Sequence, residues 1–162
     1  MGKKSTATPE PLEKWLPYRF ALISGRLGAF ATPLFRDRYD LPLAAGRTLA
    51  VIARYQPLSA SELGNHTSYD AFKVARAIDM LLRRKLIRRD TDPEDRRRAR
   101  VQLTAKGEAI YRDYEKFARR VENLWLSELS DAELKALYTA LDKIDSKVAT
   151  LAGPEAWKAF VD

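Results

Sequence analysis

The sequence predicts a mainly helical fold, in which six helices are interrupted once by a small β-hairpin. Apolar residues recur at three- and four-residue intervals over most of the chain, which is the spacing of one helix face. Prolines, glycines and capping residues divide this pattern into six segments. The hairpin is predicted from a polar, turn-forming apex at residues 90–98. With 162 residues, 46% of them hydrophobic and 31% charged, the chain suits one folded domain.

The first predicted helix runs from Phe20 to about Tyr39. Residues 1–11 are small, polar and contain proline, so we expect a mobile tail there. Pro33 lies inside the helical pattern, and because proline cannot donate a backbone hydrogen bond, we expect a kink or a broken last turn. The Asp-Leu-Pro break at residues 40–42 ends this helix.

The second and third predicted helices are short. The second covers residues 43–55, is expected to be buried, and is terminated by Pro57. The third begins after Ser59, whose side chain caps it, and Glu62 stands at the position that completes a capping box. The Gly-Asn pair at residues 64–65 predicts its end.

The last three helices also begin at capping residues. Asp70 is the predicted N-cap of a fourth helix that continues to Arg84, and Thr104 caps a long fifth helix after the hairpin. Ser130 and Glu133 form a second capping box, which opens the sixth helix. The apolar residues of the sixth helix make a heptad-like seam, suited to packing on another long helix: Leu134, Leu137, Leu141, Ile144, Val148 and Leu151.

The outer helices carry continuous apolar seams on either side of a small central module. Such seams usually pack on a partner, and a second copy of the same chain is the natural one. The alternative is that these helices close a monomeric bundle. We therefore expect a tail (1–11), an N-terminal dimerisation helix (12–42), a central module (43–104) and C-terminal dimerisation helices (105–162), intertwined in one domain.

The net charge of +7 favours an anionic partner, and the excess is concentrated in one segment. Residues 83–100 hold nine positive and four negative side chains, which leaves +5. A solvated charged face is the alternative reading. A basic hairpin directly after a pair of short helices suits double-stranded DNA, because one helix fills a major groove while a flexible cation reaches the minor groove.

Other classes of function are not expected. The chain has no cysteine, which excludes disulfides and thiol catalysis, and His66 is its single histidine, so we expect no metal and no cofactor. No apolar run reaches the roughly 18 residues of a membrane span. The amino terminus lacks an apolar signal region, so we expect a cytoplasmic protein without membrane contact. We find no nucleophile elbow or phosphate-binding glycine loop, and expect no enzyme.

The order of elements over nearly the whole chain resembles the MarR family of winged helix-turn-helix regulators. The family's wing motif stands here as Asp-Arg-Arg at residues 95–97, followed by Val-Gln-Leu-Thr at 101–104 and by Gly107. Its Glu-Leu pair is found at residues 62–63, and its recognition-helix arginine is Arg76. The resemblance implies that residues 43–104 form a winged helix-turn-helix, with the fourth helix as recognition helix.

Two departures from the family pattern concern this module. Lys85 replaces the glycine that usually precedes the first wing strand. Phe72, Lys73 and Ala75 replace the common serine and threonine residues of the recognition helix, so a relative's base preference does not carry over. For Phe72 two alternatives stay open, namely packing in the core and contact with a thymine methyl group.

The recognition helix offers two cations on one face, Lys73 and Arg76. Arginine binds guanine bidentately, and lysine binds either guanine or a phosphate. Asp70 is expected to cap the helix rather than to read a cytosine. In the preceding turn, hydroxyl groups and unpaired backbone N–H groups are expected to hold phosphate oxygens. These turn residues are Thr67, Ser68 and Tyr69.

The three consecutive arginines of the wing cannot all face one way on a hairpin. By family resemblance, Arg97 reaches into the minor groove and Asp95 orients it. Arg96 and Arg98 then meet phosphates or solvent. A narrow, A·T-rich minor groove would favour the inserted arginine because its negative potential is enhanced.

The resemblance also implies a homodimer that binds a pseudo-palindromic operator and is released by a small ligand, such as an aromatic acid or an acyl-CoA-like anion. The alternative is a non-specific architectural or protein-interaction module on the same fold. The implied ligand pocket lies between the dimerisation helices and the winged module. Ordinary interface packing explains Trp15 and Tyr18 equally well, and Arg36 and Arg38 suit DNA phosphates or the ligand. The candidate ligand residues are Trp15, Tyr18, Arg19, Ser24, Arg26, Arg36, Arg38, Arg47 and His66.

Overall fold

A computed structural model describes residues 11–91, 99–151, 153 and 155–161. In this part of the chain the fold is mainly helical, with six α-helices and one two-stranded antiparallel hairpin, as the sequence predicts. Two short 3-10 helices, Leu12–Lys14 and Ala156–Phe160, lie near the ends. The other elements are α1 (Leu16–Tyr39), α2 (Leu43–Tyr55), α3 (Ala60–Thr67), α4 (Ala71–Arg83), β1 (Ile87–Thr91), β2 (Ala99–Leu103), α5 (Ala105–Leu126) and α6 (Asp131–Ala149).

The chain divides into two compact units, residues 1–113 and residues 114–162. The first contains α1 to α4, the hairpin and the beginning of α5, and the second contains the rest of α5 together with α6. Across the described residues, none of the helices has both the length and the apolarity that crossing a membrane requires.

The core of the first unit forms where α2, α3 and α4 pack on one another and on the hairpin. Residues spaced three or four apart supply it, because they share one face of a helix. Complete burial of each such side chain contributes about 1.5–3 kcal/mol. The largest fully buried side chains of these helices are Leu49 and Ile52 of α2, Leu63 of α3, and Val74 and Leu81 of α4.

α3 begins as predicted and ends later than predicted. The Glu62 N–H donates to Ser59 Oγ at 3.3 Å, and the Ser59 N–H donates to Glu62 Oε2 at 2.7 Å, which completes the capping box. The predicted end at Gly64 is wrong, because α3 continues to a left-handed C-cap at Ser68. Gly64 packs closely inside this helix, since a Cβ there would lie 3.3 Å from the Tyr69 carbonyl oxygen.

α1 is longer than the sequence pattern indicates, and Pro33 does not interrupt it. It begins at Leu16 rather than Phe20, and it continues through Pro33, so the predicted broken last turn is wrong. A proline removes one backbone hydrogen bond, and the turn after it is still closed by the Asp40 N–H, which donates to the Arg36 carbonyl at 3.1 Å. The helix ends because Asp40 adopts a left-handed conformation with φ of 52°.

The hairpin is fixed at its base to the helical core. β1 and β2 pair antiparallel, with Ile87 opposite Leu103. Leu58, in the segment between α2 and α3, exchanges two backbone hydrogen bonds with Val101 at 3.1 and 2.7 Å and extends the ladder by one bridge. The base of the hairpin is therefore part of the first unit's core, while residues 92–98 lie outside the described residues.

The Leu-Thr-x-x-Gly motif joins β2 to α5 by close backbone contact. The Thr104 N–H donates to the Leu86 carbonyl at 3.0 Å, and the Thr104 hydroxyl donates to the Lys85 carbonyl at 2.8 Å and accepts the Gly107 N–H at 3.2 Å. A Cβ at Gly107 would lie 2.0 Å from the Leu86 carbonyl oxygen, so only glycine fits. Lys85 has φ of 57°, which explains why glycine is the usual residue at that position.

The end of α1 is tied to α5 by a group of three side chains. Arg38 donates to both carboxylate oxygens of Asp113, from Nε at 2.6 Å and from Nη2 at 2.9 Å, and the Tyr39 hydroxyl donates to the same carboxylate at 2.8 Å. Burial, and then the hydrogen bond to Asp113, raise the pKa of Tyr39 from its ordinary value of 10.0 to about 12. The hydrogen bond to Asp113 likewise raises the pKa of Arg38.

The raised pKa of Tyr39 predicts a loss of stability at alkaline pH. The neutral phenol is favoured in the folded state, so its contribution is complete below pH 10, the ordinary value, and is lost as pH rises towards about 12. Tyr39→Phe should lower the free energy of unfolding by about 1 kcal/mol at pH 8. Because the variant has no phenol to ionise at position 39, its free energy of unfolding should fall less steeply than that of the parent protein at alkaline pH. Tyr55→Phe, at a tyrosine of α2 that is 52% exposed, is the matched control. Chemical denaturation across this pH range measures both, and a decline as steep in Tyr39→Phe as in the parent protein would contradict the assignment.

Close packing of α1 on α2 predicts opposite effects of two glycine substitutions. A Cβ at Gly46 would lie 2.2 Å from Cε1 of the buried Phe35 ring, so Gly46→Ala should destabilise the protein by about 1–3 kcal/mol. Gly25 in α1 has no atom within 4 Å of such a Cβ, so Gly25→Ala should stabilise by about 0.5–1 kcal/mol. Thermal unfolding compares the variants, and equal shifts would show that α1 does not approach α2 this closely.

Candidate nucleic-acid interface

α4 has two chemically different faces. Its inner face is apolar and buried against the rest of the first unit, where Val74, Ala77, Ile78 and Leu81 are at most 4% exposed. This burial prevents the helix from rotating about its axis. The outward residues of its first two turns are consequently fixed on the surface: Phe72, Lys73 and Arg76.

Asp70 caps α4, as the sequence predicts. Its Oδ1 accepts the Lys73 N–H at 2.7 Å, and a side chain of this kind at the N-cap stabilises a helix by about 1 kcal/mol. The remaining N–H groups of the first turn place a partial positive charge at the same end of the helix as the exposed cations. This end of α4 is therefore suited to phosphate oxygens and electronegative base edges.

Both cations of α4 lie against aromatic rings. The Lys73 ammonium nitrogen is 3.9 Å from the centroid of the Tyr69 ring, and the Arg76 guanidinium carbon is 5.6 Å from the centroid of the Phe72 ring. Each ring attracts its cation and restricts the orientations that the side chain adopts. The sequence analysis did not identify these two pairs. The Phe72–Arg76 pair has the four-residue spacing of neighbours on a helix and was readable, whereas Tyr69 precedes the N-cap of α4.

The structure contradicts one of the two alternatives for Phe72, and its contact with a thymine methyl group stays a prediction. Its side chain is 71% exposed, so the core alternative is wrong. The reason is helical phase: Phe72 falls on the outer face of α4, one turn before Arg76, whereas Val74 supplies the core contact in that turn.

In the turn before α4, one residue does not suit its predicted role, and that residue is Thr67. The Thr67 hydroxyl donates to the Leu63 carbonyl at 2.6 Å and accepts the Tyr69 N–H at 3.3 Å. Binding a phosphate requires a donor, and the only hydroxyl hydrogen of Thr67 is already donated inside the turn. The phosphate role expected for Thr67 therefore does not fit this geometry. Ser68 is exposed in its left-handed conformation.

Part of the basic segment is neutralised within the chain. Surface pairs of this kind contribute about 0–1 kcal/mol each to stability, but they reduce the charge offered to a partner. Among the described residues, such pairs join Arg83 to Asp79, Arg84 to Asp40, Arg88 to Asp90 and Arg100 to Glu62. By contrast, Lys73 and Arg76 form no ion pair in the part of the chain that the structure describes.

Four predicted wing residues, Asp95, Arg96, Arg97 and Arg98, lie outside the described residues. The roles expected for them in the minor groove and at phosphates stay predictions. The described base of the hairpin ends at Thr91 on one strand and begins again at Ala99 on the other.

Several candidate ligand residues are spread along α1. Trp15 is the N-cap of this helix and is 53% exposed, and Tyr18, Arg19, Ser24 and Arg26 are exposed as well. Arg36 and Arg38 lie in the last turn of the same helix, and Arg47 and His66 lie on α2 and α3. Arg47 is half-buried on α2 beside Gly28 of α1, with Nη2 3.8 Å from the position of a Cβ at that glycine.

The other three candidates already have partners within the chain. Arg36 donates to the neighbouring Asp37, and this hydrogen bond raises the pKa of Arg36. Arg38 is held bidentately by Asp113, as described above. The His66 ring stacks on Tyr55 with centroids 4.2 Å apart, at the ends of α3 and α2.

Comparisons with known proteins agree with this architecture. The model of the MarR family matches residues 39–98. The HTH-type transcriptional repressor NicR of Pseudomonas putida is 30% identical over 154 residues, which cover 90% of this chain and 97% of that protein. This chain belongs to the MarR family.

Solved structures of MarR-family proteins share the fold. A MarR/EmrR family regulator from Acinetobacter sp. ADP1 has a TM-score of 0.80 at 20% identity, covering 87% of this chain and 99% of that chain. The S. aureus MepR protein, solved as a DNA complex, has a TM-score of 0.72 at 25% identity, covering 81% and 96%. The chain is thus a DNA-binding transcription regulator, and α2 to α4 with the hairpin are its winged helix-turn-helix.

Proposed function

We propose that this protein is a sequence-specific repressor that binds a pseudo-palindromic operator as a homodimer, and that α4 reads the major groove. The observation that carries the proposal is the two-faced α4, whose buried inner side fixes Lys73 and Arg76 outward. A similar protein of P. putida is named a repressor, and a similar chain from S. aureus was solved with DNA. These likenesses support the direction of regulation and the partner.

Exposed apolar side chains support a second copy of the chain as partner. In the first unit, the 3-10 helix and the first half of α1 expose Leu12, Trp15, Leu16, Phe20 and Ile23 by 40–57%. In the second unit, no residue of α6 is buried, and Leu124 and Phe160 are each 72% exposed. Apolar surface on this scale is unfavourable in a monomer. A symmetric dimer would bury it and present two copies of α4 about one helical turn of DNA apart.

The wing supplies the second DNA contact of the proposal. Arg97 enters the minor groove, Asp95 orients it, and Arg96 and Arg98 meet phosphates. The support is the family resemblance of the motif, together with the rigid base that Leu58 and Val101 give to the hairpin. In the turn before α4, Ser68 and Tyr69 supply hydroxyl groups for a phosphate.

We further propose that a small anionic ligand, aromatic or acyl-CoA-like, releases the repressor. By family resemblance the pocket lies between the dimerisation helices and the winged module. The exposed Trp15, Tyr18, Arg19, Ser24 and Arg26 of α1 would supply it with aromatic rings, a hydroxyl and cations. Arg47 and Arg36 add positive charge. Such a ligand acts by preferring the dimer geometry that does not fit DNA, and it weakens binding by no more than this preference.

The proposal is tested by selecting an operator from random duplexes and measuring its affinity against a scrambled duplex at one moderate salt concentration. Specific binding should exceed non-specific binding by at least about 10³-fold, with two protomers on each duplex. Arg76→Ala should lose about 1–3 kcal/mol and relax the preference at one base pair of each half-site.

The control for Arg76→Ala is Arg119→Ala. Arg119 is an exposed arginine of α5 that pairs with Glu115 at 3.0 Å, so this variant removes the same charge from a different helix and should bind like the parent protein. Equal binding of the parent protein to operator and scrambled DNA would instead indicate a non-specific architectural module. An equal loss by Arg76→Ala on every duplex would show that Arg76 contacts only phosphate.

A further inference from the structure

Phe72 is an apolar ring held in solvent at the centre of the proposed reading surface. At 71% exposure, it is more exposed than any other large hydrophobic residue described in the first unit. Its ring forfeits most of the about 1.5–3 kcal/mol that complete burial of a phenylalanine contributes. Packing within the chain does not explain this residue, so its partner is sought outside the chain.

The surroundings of Phe72 favour DNA over a protein as that partner. Lys73 and Arg76 flank the ring and are exposed. A protein partner would have to desolvate both cations, and charged residues are depleted from the centres of protein interfaces. DNA supplies phosphates and electronegative base edges for the cations. In its major groove it also supplies one apolar group, the C5-methyl of thymine.

The spacing of Phe72 and Arg76 is comparable with one to two base-pair steps. The two residues are four positions apart on the helix, about 6 Å along its axis, and successive base pairs are stacked about 3.4 Å apart. With the guanidinium carbon 5.6 Å from the ring centroid, the two groups form one composite surface. Such a surface reads one base pair with Arg76 and another, one or two steps away, with Phe72.

There is also room beside the ring. Phe72 and Arg76 line a cleft of about 650 Å³ between α4 and the start of α2, whose opposite wall includes Pro42, Ala44 and Ala45. Charged side chains of α4 line the rest of the cleft, whereas Pro42, Ala44 and Ala45 give its opposite wall an apolar character that suits a methyl group.

We infer that Phe72 is a specificity-determining residue, whose ring contacts the C5-methyl of a thymine one or two base pairs from the guanine that Arg76 reads. The inference rests on the proposed function and deepens it. In the same arrangement, the ring also positions Arg76 by holding its guanidinium against one face. Phe72 thus makes the operator preference of this protein differ from that of relatives with serine or threonine at this position.

The test replaces each operator thymine in turn by deoxyuridine, which removes one methyl group and leaves base pairing unchanged. Replacing one particular thymine in either half-site should lower the affinity of the parent protein about fourfold. Replacing that thymine in both half-sites should lower it about fifteenfold. Phe72→Ala should bind the thymine operator more weakly and be indifferent to deoxyuridine at those positions. The measurements are made at low salt, because binding to the phosphates is stronger there and the affinities of weakened variants stay measurable.

Lys73→Ala is the matched control, because it weakens binding without removing the ring and should keep the full response to deoxyuridine. Circular dichroism should show unchanged folding for Phe72→Ala, since the side chain is exposed. A parent protein indifferent to deoxyuridine at every thymine, or a Phe72→Ala variant as sensitive as the parent, would overturn the inference. A Phe72→Ala variant that changes its oligomeric state and remains sensitive to deoxyuridine would also overturn it, by assigning the ring to a protein contact.

These outcomes are separable from failure of the proposed function. If the parent protein binds operator and scrambled DNA equally well, the proposed function itself is wrong. If it prefers the operator but its affinity does not depend on any thymine methyl group, only the assignment of Phe72 is wrong.

Discussion

The apolar inner face of α4 packs on α2, and this single burial determines where the DNA-facing side chains of the helix point. Val74, Ile78 and Leu81 are almost inaccessible to solvent, and because helical residues three or four apart share a face, Lys73 and Arg76 are left outside. Rotation of α4 would expose these apolar side chains and bury two cations, both of which are strongly unfavourable. The chemistry of the reading surface is thus a consequence of the core.

The hairpin and α5 depend on a second constraint, which is close approach of backbone to backbone. Thr104 and Gly107 bring the first turn of α5 onto the Leu86 carbonyl, and Leu58 holds β2 from the other side. Few side chains are involved, so small residues at fixed positions determine the arrangement. This explains why the wing motif of the family extends beyond the arginines to the Leu-Thr-x-x-Gly sequence at its end.

Much of this fold was readable from local signals, because capping residues act within one helical turn. Ser59, Asp70 and Ser130 all cap helices as predicted. Gly64 was misread as a helix end because its close approach to the Tyr69 carbonyl depends on packing that the sequence does not display. The partner of Arg38 was equally hidden, since Asp113 is 75 residues away in the chain. Phe72 was ambiguous for a related reason: only the phase of α4 against α2 decides whether that ring is buried or exposed.

The account depends most directly on α4 entering the major groove with its outer face, and chemical methylation of bound DNA tests this. Dimethyl sulfate modifies guanine N7 in the major groove and adenine N3 in the minor groove. Two clusters of protected guanine N7 atoms, about 10–10.5 base pairs apart and centred on the half-sites, are expected when the protein is bound. Bound DNA in which every guanine N7 stays reactive, or in which only adenine N3 is protected, would contradict the account.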